Sequence, residues 1–198
     1  MLWLVGDTAL LLHLGMTGKW TLREGPFEKV RMTLDDGTVL RFSDPRLLGG
    51  VVPCSLPDGR AMLGEGLGPD ALGPLPTLRG KRAVKVAIMD QAVVAGLGNL
   101  HAAEALWRAR IDPRVPAEAL GGRHAALEAA IHAQLAWALS LDEASEEITY
   151  TEEAGAPNPF PVYGQKGRPC PRCATPVASF PQAGRTTWWC PTCQATDD

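Results

Sequence analysis

Two cysteine pairs near the C-terminus constrain this chain more than any other feature: Cys170-Pro-Arg-Cys173, then sixteen residues, then Cys190-Pro-Thr-Cys193. Four thiolates in two CxxC turns at this separation form a tetrahedral structural zinc site, each pair at the tip of a tight knuckle. The protein fills all four positions, so no site is left for activating water, and the metal holds a fold rather than catalysing. A redox CxxC is the competing reading, and two matched pairs argue against it. Cys54 stands alone and is expected to be free. Between the pairs, Ala178–Phe180 and Thr186–Trp189 read as hairpin strands, with Gln182-Ala183-Gly184-Arg185 at the turn. Arg185 then sits at the tip, where a guanidinium fork can meet a phosphate, although a tip arginine is more often simply solvated.

The 198 residues allow one large domain or two small ones, and 45% hydrophobic against 21% charged residues is ordinary for a globular protein. No apolar run is long enough to span a membrane, and no basic n-region precedes the first apolar residues, so neither a membrane span nor a signal peptide is expected. That also favours metal over disulfides for the paired cysteines. Net charge is −3, mildly against a nucleic-acid partner, but the charge is segregated. Residues 79–91 carry Arg79, Lys81, Arg82 and Lys85 against Asp90 alone, whereas 142–153 carry six acids and no base. Such polarity suits one DNA-facing side and one solvated acidic side, with scattered surface charge as the plain alternative.

Residues 1–55 read as β-structure. Leu2–Val5, Ala9–Leu14, Trp20–Arg23, Val30–Leu34 and Val39–Ser43 are short apolar or alternating runs between turn signals, with Asp35-Asp36-Gly37 as a hairpin turn. Residues 56–78, rich in Gly and Pro, read as a link to the helices. Thr77–Gln91 is expected to be helical. A longer helix is expected from Arg123 to Leu141, with Leu127, Ala130, Ile131, Gln134, Leu135, Ala138 and Leu139 as its stripe. His124 and His132 on it have no ligand-spaced partner and read as structural or solvated. The architecture expected is α+β: a partial β-sandwich at 1–56, a linker at 57–76, a helical domain at 77–147, a connecting loop at 148–161 and a zinc β-hairpin at 162–198.

The stretch Asp90–Pro113, DQAVVAGLGNLHAAEALWRARIDP, reads as a helix end, a glycine loop and a second helix beginning at Asn99 as N-cap. Leu100, Ala103, Leu106 and Trp107 give that helix a buried face. A helix start behind a glycine loop presents free N–H groups to a phosphate, though such a turn is more often a plain helix connector.

VVAGLGN followed by EALWRARIDP resembles the helix–two-turn–helix segment of the formamidopyrimidine-DNA glycosylase/endonuclease VIII family. VYGQKGRPCPRC…GRTTWWCPTCQ, residues 162–194, resembles the family's C-terminal zinc hairpin. His13-Leu-Gly-Met16-Thr-Gly18 and Asp44-Pro-Arg46-Leu-Leu48-Gly49 resemble its HLGM and DPR-x-F-G loops, and Leu67-Gly-Pro-Asp70 and Lys85-Val-Ala-Ile-Met-Asp90 also match. The resemblance covers nearly the whole chain. It implies a base-excision-repair DNA glycosylase and abasic-site lyase acting on oxidised bases in duplex DNA, bacterial and cytoplasmic, monomeric, with no membrane partner and one structural zinc on Cys170, Cys173, Cys190 and Cys193. It also implies that Arg185 grips the phosphates around a flipped nucleotide and assists elimination, and that Asn99 pinches the same backbone. Met16 would fill the space left by the extruded base, Arg46 would face the orphaned base, and Leu48 would wedge into the stack. His13, Lys81 and Lys85 complete the expected DNA-facing set.

Two departures from the family pattern are local. Leu48 stands where the family usually has Phe, and Ala174 where it usually has Gly, which is tolerable only if φ stays negative. A third concerns the start: the family's reaction begins at an N-terminal proline followed by glutamate, with a lysine before the HLGM strand, and this sequence begins Met1-Leu-Trp-Leu. A fragment of an ordinary glycosylase and a non-catalytic damaged-DNA-binding protein are therefore both expected readings. A zinc-ribbon interaction module unrelated to DNA fits the hairpin alone. The short, proline-rich Ile148–Gly164 segment suggests a reduced lid over the lesion and a broad preference among oxidised bases.

Overall fold

The computed structural model describes residues 2–5, 8–15, 17–143 and 158–195, with backbone only at 2–5, 60, 142 and 143. It divides into two compact units, Met1–Glu65 and Gly66–Asp198.

The first unit is an N-terminal β-sandwich of two three-stranded antiparallel sheets. Strands β1 (Leu2–Val5), β2 (Thr8–His13) and β6 (Gly50–Cys54) form one, and β3 (Lys19–Thr21), β5 (Val39–Ser43) and β4 (Glu28–Thr33) the other. Five of these six strands lie within two residues of the expected limits at both ends, and β1 and β5 coincide with them. β3 is shorter than read, and β6 was not separated in the sequence because Pro53 interrupts its apolar run. The turn after β4 forms as expected: Gly37 takes φ +83° and the Asp36 carboxylate accepts from the Thr38 amide. Ala9, Leu12 and Phe42 are buried, with the Trp20 ring 5.4 Å from that of Phe42.

The segment expected as a linker is structured. Helix α1 (Leu56–Gly64) begins at Ser55, whose Oγ accepts from the Asp58 amide, with Pro57 in the first turn. In the second unit, residues 66–78 pack as part of the helical core through Ala71, Leu75 and Leu78. The Leu75 amide donates to Glu128, while His124 and His132 bond the carbonyls of Pro76 and Gly73. Both histidines are therefore structural.

The second unit contains α2 (Val84–Ile88), α3 (Asn99–Arg108), a 3-10 turn at Ala117–Arg123, α4 (His124–Glu143), and the hairpin β7 (Ala178–Gln182) and β8 (Arg185–Trp189). The helix expected over Thr77–Gln91 shrinks to α2. Gly80 adopts φ +83°, and the backbone before α2 bonds to the 115–118 segment instead of to itself, with Ala117 N–H donating to the Arg82 carbonyl and Val84 N–H to that of Val115. Helix α4 follows its expected limits closely, but Leu139 at the end of its stripe is 51% exposed.

Helix α3 is the axis of the unit. Residues Ala102–Trp107 are all buried, because two neighbours cover it. One side carries Ala102, Ala105 and Leu106 into a core with Val84, Ile88, Leu97, Ile111, Leu127 and Ile131, where each large side chain is worth about 1.5–3 kcal/mol of burial. The other side sets Trp107 against Val162, Cys170, Val177 and Cys190 of the zinc module.

Candidate nucleic-acid interface and zinc centre

The four cysteines converge. A zinc ion with Zn–S bonds of about 2.3 Å needs sulfur–sulfur edges of roughly 3.8 Å. The Cys170–Cys193 and Cys173–Cys190 edges are 3.9 and 3.4 Å, and all four sulfurs lie within 4.8 Å of one another, so the set fits a tetrahedral zinc and holds it as a structural metal. Each knuckle closes with the same backbone bond, Ala174 N–H to the Cys170 carbonyl and Gln194 N–H to that of Cys190. The Thr175 and Thr192 hydroxyls meet at 2.8 Å across the two turns. Ala174 adopts φ +61°, which corrects the expectation of a negative angle there: the first knuckle needs a left-handed residue, and alanine occupies it.

Around this centre stand residues that the sequence reading passed over. The indole N–H of Trp107 donates to Cys170 Sγ at 3.4 Å. The Arg172 guanidinium lies 3.9 Å over the Trp107 ring and donates to the carbonyls of Trp107 and Arg108 at the end of α3. Buried Gln194 accepts from the Cys190 amide and donates to the Ile111 carbonyl. Glu104 is fully buried on α3 and accepts from the amides of Val162 and Tyr163, fixing the chain that leads into the zinc module. Burial pushes its carboxyl above the ordinary range, against the pull of those two amides. An acid in the middle of the buried run Ala102–Trp107 is the sequence signal that could have found it.

The hairpin turn is two residues, Ala183 and Gly184, with φ of +47° and +75°. Both angles are positive, the type I′ geometry that suits the twist of paired strands. Arg185 opens β8 opposite Gln182 and is exposed. Next to it, the Thr186 carbonyl accepts from Asn99 Nδ2 at 3.1 Å, and Lys85 Nζ donates to Asn99 Oδ1 at 2.6 Å. Asn99 is therefore not the N-cap, as expected, but the first helical residue: Gly98 caps α3, and the Asn99 amide joins α2 to β8. Lys85 is 1% exposed and, among the described residues, has Met89 Sδ and Asn99 as its side-chain hydrogen-bond partners. Burial, with the nearby Arg185 charge, pulls its ammonium down to about 8. A cleft of about 270 Å³ opens here, lined by Arg82, Lys85, Val86, Met89, Asp90, Gln182 and Ala183. Arg82 pairs with Asp90 at 2.8 Å, so two of the expected basic residues face this cleft and Lys81 stays exposed before α2.

The remaining candidates lie in the first unit. His13, Arg46 and Leu48 are exposed, and Met16 falls outside the described residues. Their loops are joined by Asp44, fully buried, whose carboxylate accepts from the Thr17 hydroxyl and from the amides of Arg46 and Gly49. These bonds, Thr17's foremost and then Gly49's, hold its carboxyl below the usual range. Gly15 admits no side chain, since a Cβ there would lie 2.7 Å from the Leu48 backbone. Gly15 and Thr17 are thus pressed against the 44–49 loop.

Comparison with known proteins accounts for all three parts. Residues 1–51 match the formamidopyrimidine-DNA glycosylase N-terminal domain, 76–149 its H2TH domain, and 167–196 the zinc finger found in FPG and IleRS. The formamidopyrimidine-DNA glycosylase of Geobacter sulfurreducens is 38% identical over 210 residues, covering 96% of this chain and 76% of the relative; that of Thermus thermophilus is 37% identical over 206 residues, covering 96% and 77%. The crystal structure of the Thermus thermophilus protein superposes with a TM-score of 0.78 at 34% identity over 98% of this chain and 78% of that one. Lactococcus lactis FPG in complex with a Fapy-dG-containing DNA gives 0.80 at 26% identity, over 96% and 76%. With three consecutive domain matches and relatives at this identity, the chain belongs to the formamidopyrimidine-DNA glycosylase family.

Proposed function

We propose that the chain performs its family's role in base excision repair, as a DNA glycosylase and abasic-site lyase that engages oxidised bases in duplex DNA. The observation that carries this reading is the Lys85–Asn99–Thr186 linkage beside Arg185. It brings the exposed Arg185 guanidinium, the buried Lys85 ammonium and the Asn99 amide together in one patch, with no carboxylate among the described residues bonded to Lys85. Such a patch grips a phosphodiester, which positions a duplex without reading its sequence. In this reading Arg185 and Asn99 hold the phosphates beside the displaced nucleotide, Arg185 assists the elimination, and Lys81 and Lys85 add positive field. The first unit supplies the base-displacing side, with Arg46 toward the unpaired base, Leu48 as an apolar wedge, and His13 and Met16 on the adjoining loop. Zinc supplies no chemistry to the substrate; it rigidifies the hairpin that carries Arg185.

For localisation, no helix among the described residues is long and apolar enough to cross a membrane, and the bacterial cytoplasm is the setting proposed here, in keeping with the bacterial relatives and the proposed DNA substrate. The test is binding and strand cleavage on three duplexes, carrying 8-oxoguanine, a formamidopyrimidine or an oxidised pyrimidine, against an undamaged control. Preferential binding of the damaged duplexes supports the reading, with comparable preference across lesions expected. Equal affinity for damaged and undamaged duplex overturns it.

A further inference from the structure

Leu47 lies between the two residues of its loop to which the proposed function gives DNA-facing roles. It is 67% exposed, more than Leu48 at 46%. It also adopts φ +57°, a left-handed conformation that leucine disfavours and that glycine or asparagine holds more easily. The loop does not drift into this shape. Asp44 beneath it takes hydrogen bonds from the Arg46 and Gly49 amides and from Thr17, and a Cβ on Gly49 would come within 2.6 Å of the Phe42 ring. A buried carboxylate and a close-packed glycine thus hold the backbone so that two adjacent leucines project from it beside exposed Arg46.

An apolar tip flanked by a guanidinium is suited to one occupant above others, a base stack bordered by phosphates. We infer that Leu47 is a second wedge residue that inserts with Leu48 into the duplex at the lesion, and that Asp44 is the positioning residue that holds both at the loop's tip. The inference rests on the reading of the chain as a damaged-duplex binder. A pair of leucines, each smaller than an aromatic ring, together fills the gap that one ring fills alone.

The experiment compares Leu47→Ala, Leu47→Gly and Leu48→Ala for binding to a duplex carrying a tetrahydrofuran abasic analogue, with 2-aminopurine beside it to report unstacking. Leu47→Ala is expected to weaken abasic-duplex binding about tenfold and reduce the 2-aminopurine signal, with undamaged-duplex binding little changed. Leu47→Gly relaxes the backbone, so it is expected to melt no lower than the parent while losing the same affinity. A residue with a merely structural role would move stability and binding together. Parent-like affinity and 2-aminopurine signal in both Leu47 variants, with Leu48→Ala impaired, overturn the Leu47 assignment and leave the proposed function standing. A parent protein that does not prefer the abasic duplex overturns both.

Discussion

The indole N–H of Trp107 points at Cys170 Sγ from 3.4 Å, so the helix that begins at Asn99 ends against a zinc ligand. Asn99, for which a phosphate contact is proposed, and the contact to the metal centre thus lie toward opposite ends of one ten-residue helix. Hydrogen bonds to metal-bound thiolates orient the ligand and stabilise its charge. Trp107→Phe keeps the ring under Arg172 and removes the donor. It is expected to retain one zinc per chain but release it to a chelator about ten times faster, and to shift the thiolate-to-metal absorption of the cobalt-substituted protein. Unchanged release and spectra would remove Trp107 from the metal's surroundings.

Zinc itself is predicted at one equivalent per chain. Cys190→Ser should lower zinc content and free the hairpin, because metal binding and folding of such a module are one process. Cys54, a free thiol in the first unit, should be replaceable without change in zinc content. Metal analysis of well-folded protein that finds far less than one equivalent would contradict the assignment.

Ala174 offers a gain rather than a loss. At φ +61° its Cβ crowds the backbone, a conformation that costs an L-residue about 1–2 kcal/mol. Glycine relieves this but adds freedom to the unfolded chain. Ala174→Gly should therefore raise the stability of the zinc-loaded protein by up to about 1 kcal/mol, read as a higher melting temperature. A lower one would mean that alanine's methyl is needed where it stands.

These cases also mark what was legible in the sequence. The CxxC spacing announced the metal, and the β4–β5 turn followed from Asp35-Asp36-Gly37, because local chemistry decides both. Helix α2 was overestimated because residues 80–83 spend their backbone groups on residues 115–118, a partner far along the chain. Asn99 was misplaced by one position for the same kind of reason: an asparagine before a helix is a good cap until a lysine fourteen residues earlier and a carbonyl eighty-seven residues later claim its amide. Asp44 and Glu104 were missed because nothing local says which acids are buried. The Gly/Pro content of residues 56–78 suggested a linker because it does not reveal that Leu75 and Leu78 enter a core.

Lys85 makes a pH prediction with a definite sign. Its folded value of about 8 lies below that of an exposed lysine, so between the two the unfolded chain holds the extra proton. The burial cost is fully present below pH 8 and is relieved as pH rises through that window, so this group alone makes the protein more stable toward pH 10. Phosphate binding works the other way, since it needs the ammonium. At constant ionic strength, affinity for duplex DNA should fall about tenfold between pH 7 and pH 9, as the charged fraction of the free protein falls from roughly nine-tenths to roughly one-tenth. Lys85→Met should bind weakly at both values and show no such fall. A flat profile in the parent would mean that Lys85 does not meet phosphate.

The hairpin tip gives the sharpest test, because it needs no catalysis. Arg185 is exposed at the first position of β8, held there by the two-residue turn and by pairing with Gln182, whose side chain is fixed by the Pro113 carbonyl and the Thr187 hydroxyl. The guanidinium is thus presented by a rigid backbone, and little of its binding energy is lost to ordering the hairpin. If it grips a phosphate, Arg185→Ala should weaken damaged and undamaged duplex alike by about 1.5–3 kcal/mol, the range for hydrogen bonds to charged groups. Because one phosphate contact disappears, the slope of log affinity against log salt should flatten by about one. Arg185→Lys should restore the slope but not the full affinity, since an ammonium keeps the charge and lacks the fork. The turn geometry does not depend on the arginine side chain, so the variant should melt like the parent and keep its zinc. Affinity and salt slope both untouched in that folded, zinc-loaded variant would exclude Arg185 from the phosphate grip.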